Sequence, residues 1–371
     1  MCGIIGIASK YPIRDKERLL DSRDLMTYRG PDDEGLWWSN SSQIGLAHRR
    51  LSILELTKLG HQPMSDISDK LRIVFNGEIY NHLKIKYELQ ELGVTFHTNS
   101  DTEVILAAYK VWGFDCVKHL NGMFAFTIFD ADRNSVFLAR DRLGEKPLYY
   151  SLKNDAIYFS SELKPLLYLT NDNRNISYEG LNFYLSMGYV PSGNTLINNI
   201  KKLPPAHAMV FNIKTGDLKT WKFWTLPHLK NNLGSDEKVS NDVEKLLSDS
   251  VQKQLQADVP VGVLLSGGVD SSLITAMASK YTEKIKSFTV SFSGSEEFNE
   301  SKHARLIANY FHTEHIELDA QRSDPQLLID IAQDFDDPII DSSIIPTYLV
   351  SRLVSDHCKV VLGGDGGDEL F

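Results

Sequence analysis

Cys2 is the residue of this sequence with the clearest chemical potential, because it directly follows Met1 in the segment that begins MCGIIGI. Removal of Met1 would leave a thiol and a free α-amine on one residue, so that covalent bonds hold a nucleophile beside a proton acceptor. Cleavage of an amide by a cysteine is the reaction that this arrangement suits. A cysteine at this position more often has no catalytic role, so the partner groups must be sought elsewhere in the chain.

The first half of the chain supplies the other groups that a glutamine-specific amidohydrolase needs. Asn76 and Gly77 follow an apolar strand predicted to end at Phe75, and they offer a side-chain amide and an unhindered N–H to an oxyanion. Arg50 offers a guanidinium for a carboxylate, and Asp101, at a predicted helix start, offers a carboxylate for an ammonium. Separately these are a common turn, a surface charge and a helix cap. Together they predict a glutamine site.

A loop rich in glycine and hydroxyl groups in the second half is typical of phosphate binding. The apolar residues 261–265 lead into residues 266–272, SGGVDSS, which precede a predicted helix. Two glycines let backbone N–H groups approach an anion, and the helix N-terminus favours negative charge. The spacing differs from both GxxxxGK[ST] and GxGxxG. The pattern predicts a pyrophosphate-binding loop.

A second glycine-rich loop, residues 363–369, follows the predicted strand at residues 359–362. Taken alone, this loop is more often an acidic turn. In a parallel sheet, however, it would face residues 266–272 across the strand ends, where Asp270 and Asp368 could hold Mg²⁺ on the phosphates.

The patterning of apolar residues divides the chain into two fold classes. Short alternating segments with predicted helices at residues 82–92 and 101–111 indicate an α+β domain of antiparallel sheets over residues 1–205. Residues 206–235, with their turn-forming residues, predict a connector. Alternating helices and strands over residues 236–371 indicate an α/β domain with a doubly wound parallel sheet, which binds ligands beyond the carboxyl ends of its strands.

Composition argues against several classes of partner. The chain has 39 Lys and Arg against 49 Asp and Glu and no long basic run, so nucleic acid is not an expected partner. Three widely spaced cysteines without a CxxC pair indicate a reducing, cytoplasmic compartment. No run of about 20 apolar residues occurs, so no membrane interaction is expected.

The chain resembles the glutamine-dependent asparagine synthetases of the class II amidotransferase type. The matching motifs are MCGIIGI, YRGPDDEG, HRRLSIL, FNGEIYN, TNSDTEVIL, LNGMFAF and RDRLGEKPLYY. In addition, SGGVDSS resembles the pyrophosphate loop of ATP enzymes that release AMP. The resemblance implies a four-layer αββα N-terminal-nucleophile sandwich followed by an ATP-pyrophosphatase domain.

The resemblance also implies roles for individual residues. Cys2 would form a glutamyl thioester with Asn76 and Gly77 as the oxyanion hole. As the residue that binds the α-carboxylate of glutamine, Arg50 is preferred to Arg29 and Arg49 because it directly precedes the LSI triplet. The implied glutamine-binding residues are Arg50, Leu51, Ser52, Ile53, Asn76, Gly77, Glu78 and Asp101. The implied ATP-binding residues are Leu265, Ser266, Gly267, Gly268, Asp270, Ser271, Ser272, Val290, Gly363 and Gly364, with Asp365 assisting formation of an acyl-adenylate.

The implied reaction uses L-aspartate, L-glutamine, ATP and Mg²⁺ to make L-asparagine, L-glutamate, AMP and diphosphate. Ammonia would cross between the two sites by a sheltered passage. Two departures leave the acceptor open: the family loop SGEGSDE is replaced by GGDGGDE, and the chain stops at Phe371, where family members continue. One alternative is another carboxylate acceptor, such as a sugar acid of a surface polysaccharide. Another is a truncated protein that acts only as a glutaminase or glutamine-binding module. The apolar face of the first domain could support a homodimer.

Overall fold

The computed structural model describes residues 1–227, 234–292, 300–320 and 325–370. The chain forms two compact units. Unit 1 comprises Met1–Pro227 together with Phe335–Ile340, and unit 2 comprises His228–Asp334 with Asp341–Phe371.

Unit 1 contains two antiparallel six-stranded sheets. Their strands are β1 (Gly3–Ser9), β2 (Asp33–Trp38), β3 (Ile44–Arg50), β4 (Met64–Ser65), β5 (Leu71–Ile79), β6 (Gly122–Asp130), β7 (Ser135–Arg140), β8 (Tyr149–Lys153), β9 (Ala156–Ser160), β10 (Ile200–Lys202), β11 (His207–Asn212) and β12 (Leu218–Lys222). The first sheet has the order β10-β8-β9-β1-β3-β2, and the second has the order β12-β11-β7-β6-β5-β4. The helices of unit 1 are α1 (Glu17–Asp24), α2 (His82–Glu91), α3 (Asp101–Trp112), α4 (Cys116–His119), α5 (Leu163–Thr170) and α6 (Tyr178–Met187).

Alternation along the strands builds the layers of unit 1. Ile4 of β1 and Val74 of β5 belong to one buried cluster between the two sheets. Their neighbours point the other way, since successive side chains of a strand face opposite sides. Ile5 packs with Leu19 of α1, and Phe75 packs with residues of α2 and α3. The result is helix, sheet, sheet, helix, which confirms the predicted four-layer αββα fold class.

The predicted connector at residues 206–235 is wrong over its first half. Residues 207–222 form β11 and β12, and β11 pairs with β7 in the second sheet. The turn residues at 212–216, interpreted as part of a linker, close the hairpin between these two strands. Turn-forming residues mark hairpins as well as linkers, and Ala208, Met209 and Phe211 are buried. Residues 228–233 of the predicted connector lie outside the described residues.

Unit 2 is built around a parallel sheet with the strand order β15-β14-β13-β16. Its elements are α7 (Asp236–Gln254), β13 (Val261–Leu264), α8 (Val269–Ser279), β14 (Lys286–Phe292), α9 (Ser301–Tyr310), β15 (Glu314–Ala320), α10 (Pro325–Asp334), α11 (Ile344–Ser355), β16 (Val360–Leu362) and α12 (Gly367–Leu370). The chain runs outward from β13 through β14 to β15 and then returns to β16 on the other side of β13, so the strand order reverses there. Ligands of doubly wound sheets bind at such a reversal, beyond the carboxyl ends of the strands. Within the described ranges, no helix is long and apolar enough to cross a membrane.

Candidate active site

Cys2 lies immediately before β1, and its thiol contacts the main chain of Leu51. The Leu51 N–H donates to Cys2 Sγ at 3.4 Å, and the thiol faces the Leu51 carbonyl oxygen at 3.7 Å. Burial raises the pKa of the Cys2 thiol, although the hydrogen bond from Leu51 opposes this shift. A thiol whose pKa is raised needs a nearby base before it can act as a nucleophile.

The main chain of Cys2 is held by Arg29. Arg29 Nε donates to the Cys2 carbonyl oxygen at 3.0 Å, and Arg29 Nη1 pairs with Glu162 Oε1 at 2.9 Å. Tyr28 donates its hydroxyl hydrogen to the other oxygen of Glu162 at 2.6 Å. Arg29, which the sequence suggested only as a rival for carboxylate binding, thus holds the main chain of Cys2. Arg49 instead pairs with acidic side chains of α1 and β2.

Asn76 and Gly77 lie inside β5, not beyond its end. The strand continues to Ile79, because Asn76 pairs with Ala125 and Gly77 with Phe124 of β6. The predicted strand end at Phe75 is therefore wrong: the Asn-Gly pair, common in turns, here remains in the ladder. A side chain at position 77 would collide with the carbonyl oxygen of Met123, so glycine is required by close backbone approach.

The side chain of Asn76 is a buried donor without a partner. Asn76 is 1% exposed and lies on the same face of β5 as Val74, toward the first sheet. Among the described residues, its Nδ2 has no hydrogen-bond acceptor. A buried amide N–H left unpaired costs about 1–3 kcal/mol. A group kept at that cost is suited to an acceptor that arrives with the substrate.

Arg50 directs its guanidinium into the loop of residues 51–60. Its Nη2 donates to the carbonyl oxygens of Leu54 at 2.9 Å and Glu55 at 2.6 Å, and its Nη1 donates to that of Thr57 at 3.3 Å. The side chain is buried, and a Cβ at Gly60 would collide with it. Arg50 therefore shapes the loop that carries Leu51, Ser52 and Ile53.

Glu78 and Asp101 form a pair of enclosed carboxylates. Asp101 is buried at the first residue of α3, and its Oδ2 accepts the Ile79 N–H at 3.0 Å. Burial raises the pKa of Asp101 to about 6. Burial also raises the pKa of Glu78, and the charge of Asp101 raises it further. Two anions that destabilise each other in a site of low polarity attract a cation, and the ammonium of an amino acid is one such group.

The two glycine-rich loops of unit 2 line a single cavity of about 420 Å³ at the carboxyl ends of β13 and β16. The predicted residues brought together there are Ser266, Gly268, Asp270, Ser271, Gly363, Gly364, Asp365 and Asp368. Predicted residues that do not line this cavity are Leu265, Gly267, Ser272 and Val290. Leu265 is buried beneath the loop, and Val290 lies on β14. Leu264, Gly366, Gly367 and Glu369 line the cavity without having been assigned a role.

The local geometry of these loops fits phosphate groups. Gly267 has φ +89°, and a Cβ there would lie 2.6 Å from the Ala304 nitrogen. A Cβ on Gly364 would lie 2.7 Å from the Ser271 nitrogen, so glycine leaves room for an anion at the start of α8. Ser271 Oγ accepts the Ser266 N–H at 3.2 Å and braces the turn.

Two carboxylates of the same cavity are of the kind that holds Mg²⁺ together with phosphate groups. Asp270 and Asp368 both line it. Within the described part of the chain, no group of three or more His, Cys, Asp or Glu side chains could hold a metal. Mg²⁺ is commonly held by one or two carboxylates together with substrate phosphates. The residues present therefore suit a nucleotide-bound ion.

These two units define a glutamine amidotransferase domain of αββα architecture joined to an α/β domain with a glycine-rich cleft. The glutamine amidotransferase domain family matches residues 1–224, and the asparagine synthase family matches residues 242–371. The chain belongs to the family of glutamine-hydrolysing asparagine synthetases.

Two relatives match over the whole chain. The chain is 37% identical to a protein of Methanocaldococcus jannaschii provisionally named asparagine synthetase [glutamine-hydrolyzing] 2, and covers 75% of its length. It is also 37% identical to asparagine synthetase [glutamine-hydrolyzing] 1 of Bacillus subtilis, and covers 58% of that protein. The chain thus spans only part of the length of each of these relatives.

Proposed function

We propose that unit 1 hydrolyses L-glutamine through Cys2, and that unit 2 uses ATP and the released ammonia to amidate a carboxylate, with L-aspartate as the first candidate. The proposed glutamine hydrolysis is supported by two features that occur together. Glu78 and Asp101 form an enclosed pair of carboxylates, and both Glu78 and Arg50 influence the pKa of the Cys2 thiol. The site thus offers a cation-binding end and a nucleophile in one place.

The proposed hydrolysis begins when the α-amine of Cys2, freed by removal of Met1, accepts the thiol proton. The thiolate attacks the side-chain amide carbon of glutamine, and Asn76 Nδ2 with the Gly77 N–H stabilises the oxyanion. Ammonia leaves after protonation of the amide nitrogen, and water then cleaves the thioester to release glutamate. Glu78 and Asp101 hold the substrate ammonium, while Arg50 and the loop that it shapes bind the α-carboxylate.

In the proposed second half, residues 266–272 and the dipeptide Gly363-Gly364 bind the phosphates of the substrate ATP. Asp270 and Asp368 would hold Mg²⁺, which supplies positive charge to the leaving diphosphate. The acceptor carboxylate attacks the α-phosphorus, diphosphate leaves, and ammonia then displaces AMP from the acyl-adenylate. Asp365 lies in the same cavity and is the proposed acidic residue for adenylation.

The decisive experiment measures glutamate and AMP release by the same preparations. Mass spectrometry should show that Met1 is absent, and Cys2→Ala should abolish glutamate release. Cys116→Ala provides a matched control, because Cys116 is buried in the core of unit 1 and has no proposed role. Glutamate release that survives in Cys2→Ala, or an intact Met1 in active enzyme, would refute the proposed nucleophile.

The acceptor is tested separately, because residues 363–369 depart from the loop typical of the family. AMP release should require both ATP and L-aspartate. A response only to sugar acids would replace aspartate with that acceptor. Glutamate release without AMP for any acceptor would leave the protein as a glutaminase alone.

A further inference from the structure

Lys146 is a buried lysine held in place by the loop between β7 and β8. Its N–H donates to Asp141 Oδ2 at 2.9 Å, and its carbonyl oxygen accepts Arg140 Nε at 2.7 Å. The same Asp141 carboxylate accepts four further backbone N–H groups, which fixes the loop. Lys146 is 6% exposed, so its side chain points into the molecule and not toward solvent.

The ammonium of Lys146 reaches the amino terminus. Its Nζ lies 3.2 Å from Sδ of Met1. Among the described residues, the contact shown for this nitrogen is with the Met1 thioether, which is a weak acceptor. A buried lysine is ordinarily paired, because an unpaired buried charge is costly. This lysine instead ends beside the side chain of the residue whose removal would free the α-amine of Cys2.

Charged groups from several elements act on Lys146 and on the amino terminus. Burial lowers the pKa of Lys146 and Arg29 lowers it further, while Glu145, Asp141 and Glu78 act to raise it. In the unprocessed chain, burial lowers the pKa of the Met1 α-amine to about 6; Cys2 opposes the shift, and Arg29 and Lys146 reinforce it. The remaining contribution to the amine comes from Asp32, which raises its pKa. Lys146 and Arg29 are thus cations that act on the Met1 amine, one residue before Cys2.

We propose that Lys146 is a positioning residue of the glutaminase site, whose ammonium faces the α-amine of mature Cys2 and keeps that amine uncharged. The inference rests on the proposed role of Cys2. An uncharged amine can accept the thiol proton, whereas a protonated one cannot. A neighbouring cation disfavours protonation of the amine by like-charge repulsion. The sequence offered a signal for this residue: a lysine between glutamate and proline in RDRLGEKPLYY, shortly before a strand.

The test is the pH dependence of kcat/KM for glutamate release in Lys146→Met and Lys146→Arg. Loss of the cation should raise the pKa of the Cys2 α-amine, so the acidic limb of the Lys146→Met profile should shift to higher pH by about one unit. Activity would then fall about tenfold below that of the wild type on the acidic side and recover toward it at high pH. Lys146→Arg keeps the charge and should keep the limb. Lys70→Met removes an exposed lysine of the same unit and should leave the profile unchanged.

A second measurement uses the wild-type enzyme and does not depend on the folding of a variant. Trace labelling of the Cys2 α-amine with acetic anhydride across pH reports its pKa directly, and a value clearly below the ordinary one of about 8 is expected. An ordinary value, or a Lys146→Met profile lowered equally at all pH, would overturn the inference while the Cys2→Ala result still stands. Activity that persists in Cys2→Ala would instead remove the proposed function itself.

Discussion

Replacement of Asn76 by alanine separates catalysis from stability. Asn76 Nδ2 is buried and, within the described residues, donates to no acceptor. We expect Asn76→Ala to lower kcat for glutamate release strongly while the thermal midpoint stays near that of the wild type. A merely structural asparagine would show the opposite pattern, because its removal would break hydrogen bonds of the folded state.

The expected effects of Asn76→Ala on kcat and on stability depend on what Asn76 Nδ2 donates to before and during the reaction. Removal of one side-chain donor from an oxyanion hole costs about 10²–10³ in kcat, which corresponds to about 2.7–4 kcal/mol. In the resting protein the same donor is unsatisfied at a cost of about 1–3 kcal/mol, and its removal relieves this cost. The small cavity left by truncation offsets that gain, since lost packing destabilises by a similar amount. The net change in unfolding free energy should therefore be close to zero.

The assay couples glutamate release to glutamate dehydrogenase over a range of glutamine concentrations, alongside thermal unfolding. KM should change much less than kcat, because the donor acts on a charge that develops in the transition state. Asn81→Ala is the matched control: Asn81 donates to the His119 carbonyl and accepts the Asn121 N–H. It should lower the thermal midpoint and leave kcat within about threefold. A similar kcat for Asn76→Ala and the wild type would refute the oxyanion role.

Four further outcomes are expected. Asp101→Asn should raise the glutamine KM about 30-fold or more, because an ammonium loses a buried partner worth at least ~2 kcal/mol; an unchanged KM in steady-state assays would exclude Asp101 from binding. In the wild type that KM should also rise as pH falls through about 6, where Asp101 becomes protonated. Folding raises the pKa of Asp101, so this residue stabilises the ligand-free protein below about pH 4. That contribution is lost as pH rises through about 6. Chemical denaturation at pH 7 should therefore find Asp101→Asn more stable than the wild type. The Cβ of Gly364→Ala would crowd Ser271 and Asp270, so this variant should lose ATP-dependent AMP release and keep its glutaminase activity. Normal AMP release by the variant would show that the cleft does not bind the phosphates.

Secondary structure could be predicted best where apolar periodicity was uninterrupted. The parallel strands of unit 2 and helix α3 follow directly from such runs. Prediction was wrong where local chemistry and long-range pairing disagreed. Asn76-Gly77 has the chemistry of a turn, yet β6 continues to pair with it; the turn residues at 212–216 close a hairpin of the second sheet. Hydrogen bonds to a strand distant in sequence decided both cases.

The candidate site likewise contains features that the sequence predicts and features that it does not. Residue types and motif spacing were enough to identify Cys2, Asn76 and Asp101 as candidates. They could not indicate that Arg50 donates to the carbonyls of its own loop, or that Arg29 holds the main chain of Cys2. A guanidinium has the same chemistry in either place, and only the fold determines which acceptors lie within reach.

By itself, the sequence determined the two fold classes, the candidate nucleophile and the two glycine-rich loops, because periodicity and residue chemistry are local properties of the chain. Only the tertiary structure decided which groups are left unpaired in buried positions. The orphan amide of Asn76, the raised pKa values of Glu78 and Asp101, and the Lys146 ammonium near Met1 all arise from burial by distant segments. Burial removes water as the alternative partner, so the energy of each group depends on neighbours that the linear sequence does not specify.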